Sequence, residues 1–382
     1  MNKKPTGATS QPKPLQRPRN STAQIRNKRG AESPGTKREA DAHPHHSARR
    51  RQSGRVTIAD VAGRAQVSPM TVSRALKNPA QVLPEARARV EAAVAALGYV
   101  PSHAARTLAS SRSRVVAVLV PSLSNEVFVD TLAGIQDCLG SAGYQFLIGN
   151  TNYSADKQAE LVSSYLTHAP DGFLVTGIDR SATIRQRLAA ARVPVVHMYD
   201  LGRAPGEWSV GFSQQRAGFA LARYLLERGY RQPGFIGAQL DPRTMHRRAG
   251  FRRALREAGR DPDVEILTGE PSSVGLGSRL LARMLEYAPA CDAIFCCNDD
   301  LALGALFECQ RRGIPVPGRV AIAGFNDLSP SAWATPSLTT ITTPRYQIGF
   351  EAARQLLQIL DGHPPERNHI DLGFELTPRE SA

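Results

Sequence analysis

The sequence lacks any apolar run long enough to cross a bilayer, although 41% of its 382 residues are hydrophobic. Its N-terminus also lacks the apolar segment that a secretory signal peptide requires. We therefore expect a soluble, cytoplasmic protein with no membrane partner and enough apolar residues for a buried core. Because the chain is too long for one typical domain, we expect two or three domains.

Cysteine is scarce and is not arranged for metal binding. The five cysteines lie in apolar surroundings without metal-ligand spacing: Cys138, Cys291, Cys296, Cys297 and Cys309. An odd count in a large chain indicates reduced, buried thiols. Cys296 and Cys297 would point to opposite faces of a strand, so they are not expected to share a metal. The sequence predicts neither a metal site nor a cofactor.

The motifs of several enzyme classes are absent as well. No GxGxxG follows a predicted strand, and neither GxxxxGK[ST] nor GxSxG occurs. The serine and histidine residues show no local signature of an activated nucleophile. We therefore expect a protein that is not an enzyme.

The positive charge is concentrated near the N-terminus. The formal net charge is +14, and residues 1–54 carry 13 Lys and Arg against 3 Asp and Glu. Residues 55–112 carry 8 against 3, and the remaining residues carry 27 against 28. This distribution predicts a polyanionic partner for residues 1–112 alone. Nucleic acid is favoured over phospholipid, because no basic amphipathic helix with large apolar residues occurs there.

Residues 1–54 are rich in Pro, Ser, Gly, Thr and Arg and have almost no apolar periodicity. They cannot bury enough surface to offset chain entropy, so we expect a disordered basic tail. The cluster of His43, His45 and His46 resembles a metal tract, but such clusters in a flexible tail are usually incidental. Two alternatives stay open, namely additional nonspecific phosphate contacts or a start codon assigned too far upstream.

Residues 57–76, which read TIADVAGRAQVSPMTVSRAL, have the pattern of two short helices joined by a tight turn. Thr57 can cap the first helix, Gln66 lies in the bend, and Ser68 caps the second helix, whose first position is Pro69. The apolar residues predicted to face inward are Ile58, Val61, Ala62, Ala65, Val72, Ala75 and Leu76. The residues left on the start and outer side of the second helix are Pro69, Met70, Thr71, Ser73 and Arg74. This pattern predicts a helix-turn-helix that presents its second helix to the DNA major groove, with an ordinary helical hairpin as the alternative.

A third helix is predicted over Glu85–Gly98, with Val90, Val94 and Leu97 on one face and Gly98 as the stop. The following segment, Ser102–Ser110, can form a helix but has only Leu108 as a sizeable apolar residue. Such a short helix is marginal alone and needs a partner to order it.

From Arg114 onward, apolar runs of strand length alternate with helical patterns. The predicted strands are Val115–Val120, Tyr144–Ile148, Gly172–Val175, Val193–His197, Gly234–Gly237, Val264–Leu267, Ala293–Cys296 and Val320–Gly324. The predicted helices are Phe128–Leu139, Ala155–Leu166, Thr183–Ala190, Gln214–Glu227, His246–Ala258, Val274–Leu285, Asp300–Arg311 and Arg345–Leu360. The alternation predicts an α/β body with parallel sheets, divided into two similar halves with a cleft between them.

Polar side chains directly after strands are poor core residues but suit the binding of hydroxyl groups in such a cleft. The candidate ligand-binding residues are Ser122, Asn125, Phe128, Arg243, Arg247, Asn298, Asn326 and Asp327. Phe128 would supply an apolar wall, and the two arginines flank the turn after Gly237. Asn and Asp at strand ends also cap helices, so a structural role is the alternative for each.

The motifs together resemble the LacI/GalR family of ligand-responsive repressors over residues 55–380. The segments that carry the resemblance are TIADVA, VSPMTVSRAL, GYVP, RVVAVLVPSLSNEVF, NDDLALGA, AIAGFND and PSLTTI. Within the family, LVPSLSNEVF, LDPRT and FCCNDDLALGALFECQRRG are most similar to the gluconate-operon repressors. The family's two-lobed body has the fold of periplasmic binding proteins. A transporter's solute-binding protein shares that fold, but it is disfavoured because it would need a signal peptide.

The resemblance implies which residues contact DNA. Pro69, Met70 and Arg74 occupy the positions that read base edges, and Leu108 occupies the position that wedges into the minor groove. The full set of expected DNA contacts is Thr57, Ser68, Pro69, Met70, Thr71, Ser73, Arg74, Ser102, His103, Ala105 and Leu108. The resemblance further implies a homodimer on a pseudo-palindromic operator.

The resemblance also implies a small-molecule effector. Family sugar sites commonly carry Asp where this chain has Asn326, and losing that charge while keeping Arg243 and Arg247 suits an anionic sugar acid such as gluconate. We expect the ligand to close the cleft and release the operator. A ligand that acts as corepressor for another carbohydrate is the alternative.

The expected division of the chain follows from these assignments. It consists of a tail (1–54), the helix-turn-helix domain (55–101), a hinge helix (102–112) and an effector-binding and dimerisation domain (113–382). Within the last, 113–212 plus 342–365 form the first lobe, and 213–341 plus 366–380 form the second.

Overall fold

The computed structural model describes residues 56–100, 112–177, 182–202 and 206–382. Contacts divide the chain into two compact units, Met1–Ala93 and Val94–Ala382. The unit boundary falls in the last turns of the third helix.

Residues 56–100 form three α-helices, which confirms the prediction for this region. They are α1 (Ile58–Ala65), α2 (Pro69–Lys77) and α3 (Pro84–Leu97), with a short 3₁₀ turn at Pro79–Gln81. Val61, Val72 and Val90 are fully buried, one from each helix. Gln66 ends α1 with φ 52°, a left-handed conformation that makes the bend. Leu76 differs from expectation, because 38% of it is exposed.

The second unit contains a six-stranded sheet, and we call this sheet together with its helices the N-lobe. Its strands are β1 (Val115–Val120), β2 (Gln145–Asn150), β3 (Gly172–Thr176), β4 (Val195–Met198), β5 (Trp208–Gly211) and β11 (His369–Asp371), ordered β11-β5-β4-β3-β1-β2 and all parallel. Its helices are α4 (Val127–Ser141), α5 (Ala155–Leu166), α6 (Ala182–Ala191) and α11 (Arg345–Leu360).

The rest of the second unit, the C-lobe, is built on a four-stranded parallel sheet. Its strands are β6 (Pro233–Ala238), β7 (Glu265–Thr268), β8 (Ala293–Cys296) and β9 (Ala321–Ala323), ordered β7-β6-β8-β9. Its helices are α7 (Gln214–Glu227), α8 (Pro242–Glu257), α9 (Val274–Tyr287) and α10 (Asp299–Arg312). An antiparallel pair, β10 (Thr340–Thr342) and β12 (Glu375–Thr377), joins this lobe beside β9. These sheets confirm the predicted two-lobed α/β fold with parallel strands.

Three details differ from the sequence interpretation. The short strands β5, β10, β11 and β12 were not predicted, because three or four residues carry little periodicity. Helix α8 begins at Pro242 rather than at His246, since Asp241 caps it and Pro242 takes its first position. Strand β11 pairs with β5, so part of 366–380 lies in the N-lobe sheet and not in the second lobe.

The chain passes between the two lobes three times, after β5, after β10 and after β11. All three passages are short, and the cleft between the lobes lies beyond the carboxyl ends of their parallel strands.

Candidate nucleic-acid interface and ligand cavity

The start of α1 is held by a reciprocal cap between Thr57 and Asp60. The Thr57 hydroxyl accepts from the Asp60 amide (3.3 Å), and the Asp60 carboxylate accepts from both the Thr57 amide and the Thr57 hydroxyl (2.8 Å each). The cap satisfies two donors at the helix N-terminus. It fixes the Thr57 side chain at the surface of the first unit.

The start of α2 is capped by Ser68, whose hydroxyl accepts from the Thr71 amide at 3.1 Å and lies 2.9 Å from the Thr71 hydroxyl. Pro69 occupies the first helical position, where its missing N–H leaves no donor unpaired. Met70 is 63% exposed, and Arg74 one turn later is also exposed. Thr71 and Ser73 are half-buried. The first two turns of α2 therefore present apolar and cationic groups outward.

The charges around α2 suit a polyanion. Its first turn contains no acidic residue, and its last turn carries Arg74 and Lys77. A helix N-terminus without a carboxylate leaves its amide groups available to phosphate oxygens. Of the expected DNA contacts, Ser102, His103, Ala105 and Leu108 lie outside the described residues.

The second unit contains a cavity of about 990 Å³ between the lobes. On the N-lobe side it is lined by residues at the carboxyl ends of β2, β3 and β4, namely Thr151, Thr176 and Asp200. On the C-lobe side it is lined by the start of α8, with Asp241, Arg243 and His246. Arg243 is the one predicted ligand-binding residue in this lining.

Arg243 is buried, with 9% of it exposed, and it lies among three aromatic rings. Its guanidinium carbon is 5.8 Å from the ring centre of Phe128, 5.9 Å from Tyr199 and 6.0 Å from Tyr153. It donates through Nη2 to the Asp241 carboxylate at 2.6 Å. Burial lowers the pKa of Arg243, but the charge of Asp241 outweighs it, and the net pKa is raised. The guanidinium therefore stays charged, with Asp241 as its single acceptor among the described residues.

Arg247 lies one turn further along α8, and its hydrogen bonds and its stacking contact are made with protein groups. It donates through Nε to Gln214 (2.8 Å) and through Nη1 to the Cys297 carbonyl (2.6 Å), and it stacks 3.7 Å from the centre of the Phe325 ring. Burial lowers its pKa to about 10. Arg247 thus ties α8 to α7 and to the end of β8.

The predicted polar residues after β8 and β9 have structural partners. Asn298 caps α10 through the Leu301 amide (3.1 Å) and donates to Ser272 (2.8 Å). Asp327 accepts from Arg379 and Thr342 at 2.8 and 2.9 Å. A further set of bonds comes from Arg345 at the start of α11, which donates to the carbonyls of Asn326 and Asp327 and to the Asp130 carboxylate.

Asn326 has a strained backbone with φ 114°, and only 5% of the residue is exposed. Its side-chain amide makes no hydrogen bond within the described part of the chain. Its backbone N–H donates to Ile341 at 2.8 Å.

The three candidates after β1 are held by local contacts, and none of them is among the residues that line the cavity. The Ser122 hydroxyl accepts from the Asn125 amide (3.1 Å), and the Asn125 side chain accepts from the Val127 amide (3.0 Å). Phe128 is buried and packs edge-on against Tyr199, with ring centres 5.7 Å apart. Phe128 packs behind Arg243 and does not itself line the cavity, so its role as an apolar wall for a ligand stays a prediction.

Several lining residues were not predicted from the sequence. Asp200 follows β4, and its Oδ1 lies 3.9 Å from Nδ1 of His246 on α8, so two neighbouring residues from the two lobes line the cavity together. Burial raises the pKa of the Asp200 carboxyl. The rule that polar residues follow strands could have identified Asp200, but β4 was predicted to end at His197. The same rule could have identified Thr176, which directly follows the predicted strand Gly172–Val175.

The described residues offer neither a metal-binding cluster nor a membrane-spanning helix. No cluster of three or more His, Cys, Asp or Glu side chains there is arranged to hold a metal ion. No helix in the same residues has the length and hydropathy needed to span a membrane.

Similarity to known proteins covers nearly all of the described chain. Residues 57–102 match the family of bacterial regulatory proteins described as the lacI family, and residues 222–382 match a periplasmic binding protein-like domain. The chain is 49% identical to the HTH-type transcriptional regulator GntR of Pseudomonas aeruginosa over 332 residues, covering 87% of this chain and 97% of that protein.

Solved structures of regulators have the same fold. The transcription regulator GntR from Chromobacterium violaceum is 52% identical, with a TM-score of 0.68, over 70% of this chain and 98% of that one. A LacI-family regulator from Silicibacter pomeroyi is 34% identical, with a TM-score of 0.79, over 85% of this chain and 99% of that one.

Proposed function

The chain belongs to the LacI family of bacterial regulatory proteins, and from that premise we propose that it controls genes of sugar-acid catabolism in response to gluconate or a related sugar acid. It is a DNA-binding transcriptional repressor with a helix-turn-helix head and a periplasmic-binding-protein-like body. In this proposal it acts without catalysis, in the cytoplasm at the nucleoid. The observation that carries the ligand assignment is the buried Arg243 guanidinium in the wall of the cavity.

In the proposed DNA complex, α2 lies in the major groove. Met70 contacts thymine methyl groups or sugars, and Arg74 pairs with guanine O6 and N7, with Pro69 beside them. Thr57, Ser68, Thr71 and Ser73 form the surrounding phosphate contacts. The outward position of Met70 and Arg74 and the absence of acid in the first turn of α2 support this arrangement.

The linker is proposed to complete the interface. Residues 102–112 form a hinge helix on operator DNA, Ser102, His103 and Ala105 lie near the backbone, and Leu108 enters the minor groove. Two copies of the chain pair through their bodies and linkers, so the operator is pseudo-palindromic. A kink of this kind costs a few kcal/mol of unstacking, which is offset by the contacts that the bend permits.

The ligand carboxylate is proposed to bind Arg243. A guanidinium has five N–H donors, and the described protein provides one acceptor for them, the Asp241 carboxylate. Donors of a buried cation that face a cavity favour a carboxylate, which can accept two parallel hydrogen bonds. Phe128 packs behind Arg243, and Asn125, Phe128 and Asn326 stay proposed ligand contacts although they lie outside the cavity lining described above. Ser122, Arg247, Asn298 and Asp327 hold the surrounding loops in place.

Two measurements test this function. An electrophoretic mobility shift with the promoter region beside the protein's own gene should give a specific complex that survives excess random DNA, and gluconate should weaken it. Calorimetry should show binding of gluconate to the wild type and a loss of at least tenfold in Arg243→Gln. Tight binding of a neutral hexose with no binding of gluconate would refute the ligand assignment. A complex that gluconate strengthens would make the ligand a corepressor.

A further inference from the structure

One carboxylate holds the point at which the chain enters β1. Asp171, the residue before β3, accepts from the Ser113 amide at 2.7 Å, from the Ser113 hydroxyl at 2.9 Å and from the Arg114 amide at 2.9 Å. Its own amide donates to the Val115 carbonyl at 2.8 Å. Because hydrogen bonds to a charged acceptor are roughly twice as strong as neutral ones, three of them on one carboxylate fix both residues before β1.

The side chains of Arg112 and Arg114 tie the same entry to two further parts of the N-lobe. Arg112 donates through Nη1 to Asp361 at 3.1 Å and through Nη2 to the Leu360 carbonyl at 2.5 Å, at the end of α11. Arg114 donates through Nη1 to the Ala142 carbonyl at 2.9 Å, in the turn before β2. Three consecutive residues are therefore bonded to three separate parts of the N-lobe.

The backbone of Arg114 is strained at this point. Its φ is 51°, in the left-handed region that disfavours residues with a side chain. A residue keeps such a conformation only where the surrounding contacts over-determine it. Contacts that determine the backbone this closely also fix the direction in which the preceding chain leaves the N-lobe.

The C-lobe contains the same carboxylate with fewer bonds. Asp292, the residue before β8, accepts from the amides of Arg231 and Gln232 at 2.6 and 2.9 Å, directly before β6. It is the counterpart of Asp171, because β8 pairs with β6 as β3 pairs with β1. Neither Arg231 nor Gln232 has a positive φ, and β6 follows α7 of the same lobe. Among the described residues, the additional side-chain bonds occur at the entry that follows the proposed hinge segment, residues 102–112.

We propose that Asp171 is a positioning residue for the DNA-binding function, because it holds the exit of the hinge segment rigid with the N-lobe. This inference rests on the proposed function, to which the hinge segment and the ligand response belong. A movement of the N-lobe then reaches the residues before Ser113 without being absorbed in the connection. A loose connection must be ordered when operator binds, so it lowers operator affinity and reduces the effect of a ligand bound in the body.

Asp171→Asn and Asp292→Asn form a matched pair of variants. In each, the amide keeps one acceptor oxygen and turns the other acceptor into a donor that faces a backbone N–H. Both should therefore lower the melting temperature to a similar extent. Asp171→Asn alone should weaken operator binding, by about five- to thirtyfold, the cost of ordering the backbone of one residue. Binding to random DNA should be equal in the two variants.

The experiment compares full-length wild type, Asp171→Asn, Asp292→Asn, Ser113→Ala and Arg112→Gln. Fluorescence anisotropy measures binding to operator and random duplex with and without gluconate, and calorimetry and thermal unfolding measure gluconate affinity and stability. Gluconate affinity should stay within about twofold of wild type in every variant, because the cavity is remote from these bonds. The factor by which gluconate weakens operator binding should fall by at least about threefold in Asp171→Asn and stay unchanged in Asp292→Asn.

The outcomes separate this inference from the proposed function. If Asp171→Asn and Asp292→Asn weaken operator binding equally, Asp171 is a structural carboxylate like its counterpart and the inference is overturned. If wild type does not respond to gluconate, the proposed ligand fails, and the operator affinities of the two variants still decide whether Asp171 positions the hinge segment. If Asp171→Asn does not fold, operator affinity equal to wild type in both Ser113→Ala and Arg112→Gln overturns the inference.

Discussion

Two arginines on one helix show how position decides the role of a residue. Arg243 and Arg247 lie four residues apart on α8, and both are buried. Arg247 donates to Gln214 and Cys297 and stacks on Phe325, whereas Arg243 has one carboxylate partner and faces the cavity. The sequence assigned both to the ligand, but of the two only Arg243 lines the cavity.

At the residue scale, Arg74→Ala should weaken operator binding by about 1–3 kcal/mol and relax specificity at one base pair, because it removes a bidentate contact to guanine. Lys77→Ala, on the last turn of the same helix, is the matched control. It should weaken binding less, and by the same factor on operator and random DNA, as expected of a phosphate contact. Fluorescence anisotropy at fixed salt measures both. Equal losses on operator and random DNA in Arg74→Ala would contradict base readout.

A second residue-scale prediction concerns Asp300 in the first turn of α10. Burial, followed by the charges of Asp299 and Glu126, raises the pKa of the Asp300 carboxyl to about 6. The folded protein therefore binds more protons than the unfolded chain between roughly pH 4 and pH 6, so this group's contribution to stability falls as pH rises through that window. Asp300→Asn should raise the free energy of unfolding by about 1–3 kcal/mol at pH 8 and flatten its dependence on pH.

Asp156→Asn provides the control for Asp300→Asn, because Asp156 holds the same second position in α5 and is exposed. That change should cost a few tenths of a kcal/mol, roughly the interaction of one surface charge with the helix dipole. Urea unfolding at pH 4.5, 6 and 8 distinguishes the two variants. A stability of Asp300→Asn equal to the wild type at pH 8 would mean that the carboxyl is not destabilised by its surroundings.

At the scale of elements, three pairs of helices cross at points where both helices carry a glycine. Each helix contributes one: Gly134 and Gly349 for α4 with α11, Gly218 and Gly250 for α7 with α8, and Gly277 and Gly304 for α9 with α10. At every one of these positions a Cβ atom would clash with a backbone carbonyl oxygen of the facing helix. The missing side chains let the helix backbones approach closely, which sequence periodicity alone does not reveal.

Gly277→Ala and Gly275→Ala test this at two positions on α9. A Cβ on Gly277 would meet the carbonyl oxygen of Leu301, whereas a Cβ on Gly275 would meet no atom within 4 Å. Gly277→Ala should therefore destabilise the body by about 1–3 kcal/mol through overpacking. Gly275→Ala should stabilise it by up to about 1 kcal/mol through helix propensity. Denaturant unfolding measures both, and equal effects would show that the crossing is not tight.

At the scale of the whole molecule, two lobes joined by three short passages enclose the cavity, and Arg345 links them. Its guanidinium reaches from the start of α11, in the N-lobe, to the carbonyls of Asn326 and Asp327 in the C-lobe. A ligand that changes how the lobes are joined can alter the arrangement of the DNA-binding parts only if it binds the two states differently.

This coupling makes a reciprocal prediction. If saturating gluconate weakens operator binding by some factor, in the range of about 5 to 150 for typical coupling, operator must weaken gluconate binding by the same factor. Anisotropy with and without gluconate gives the first number, and calorimetry with and without operator gives the second. If gluconate changed operator binding but operator did not change gluconate binding, the effect of gluconate would not arise from this binding equilibrium.

The sequence predicted most elements because their signals are local. Ser68 followed by Pro69 fixes the start of α2, and α5, α7, α11 and β8 have the predicted bounds. Where the signal was short or ambiguous, as in β5 and at the start of α8, the prediction missed. The expected DNA and ligand contacts stay predictions.

By itself, then, the sequence determined the helix-turn-helix head, the two-lobed α/β body and the family, because caps, turns and alternating apolar runs act between neighbouring residues. Only the tertiary structure decided which polar residues are free for a ligand. Arg247 and Asn298 are bonded to partners distant in the chain, whereas the Thr176 hydroxyl has no hydrogen-bond partner among the described residues. Hydrogen-bond satisfaction depends on groups that meet only when the chain is folded, and no local pattern encodes it.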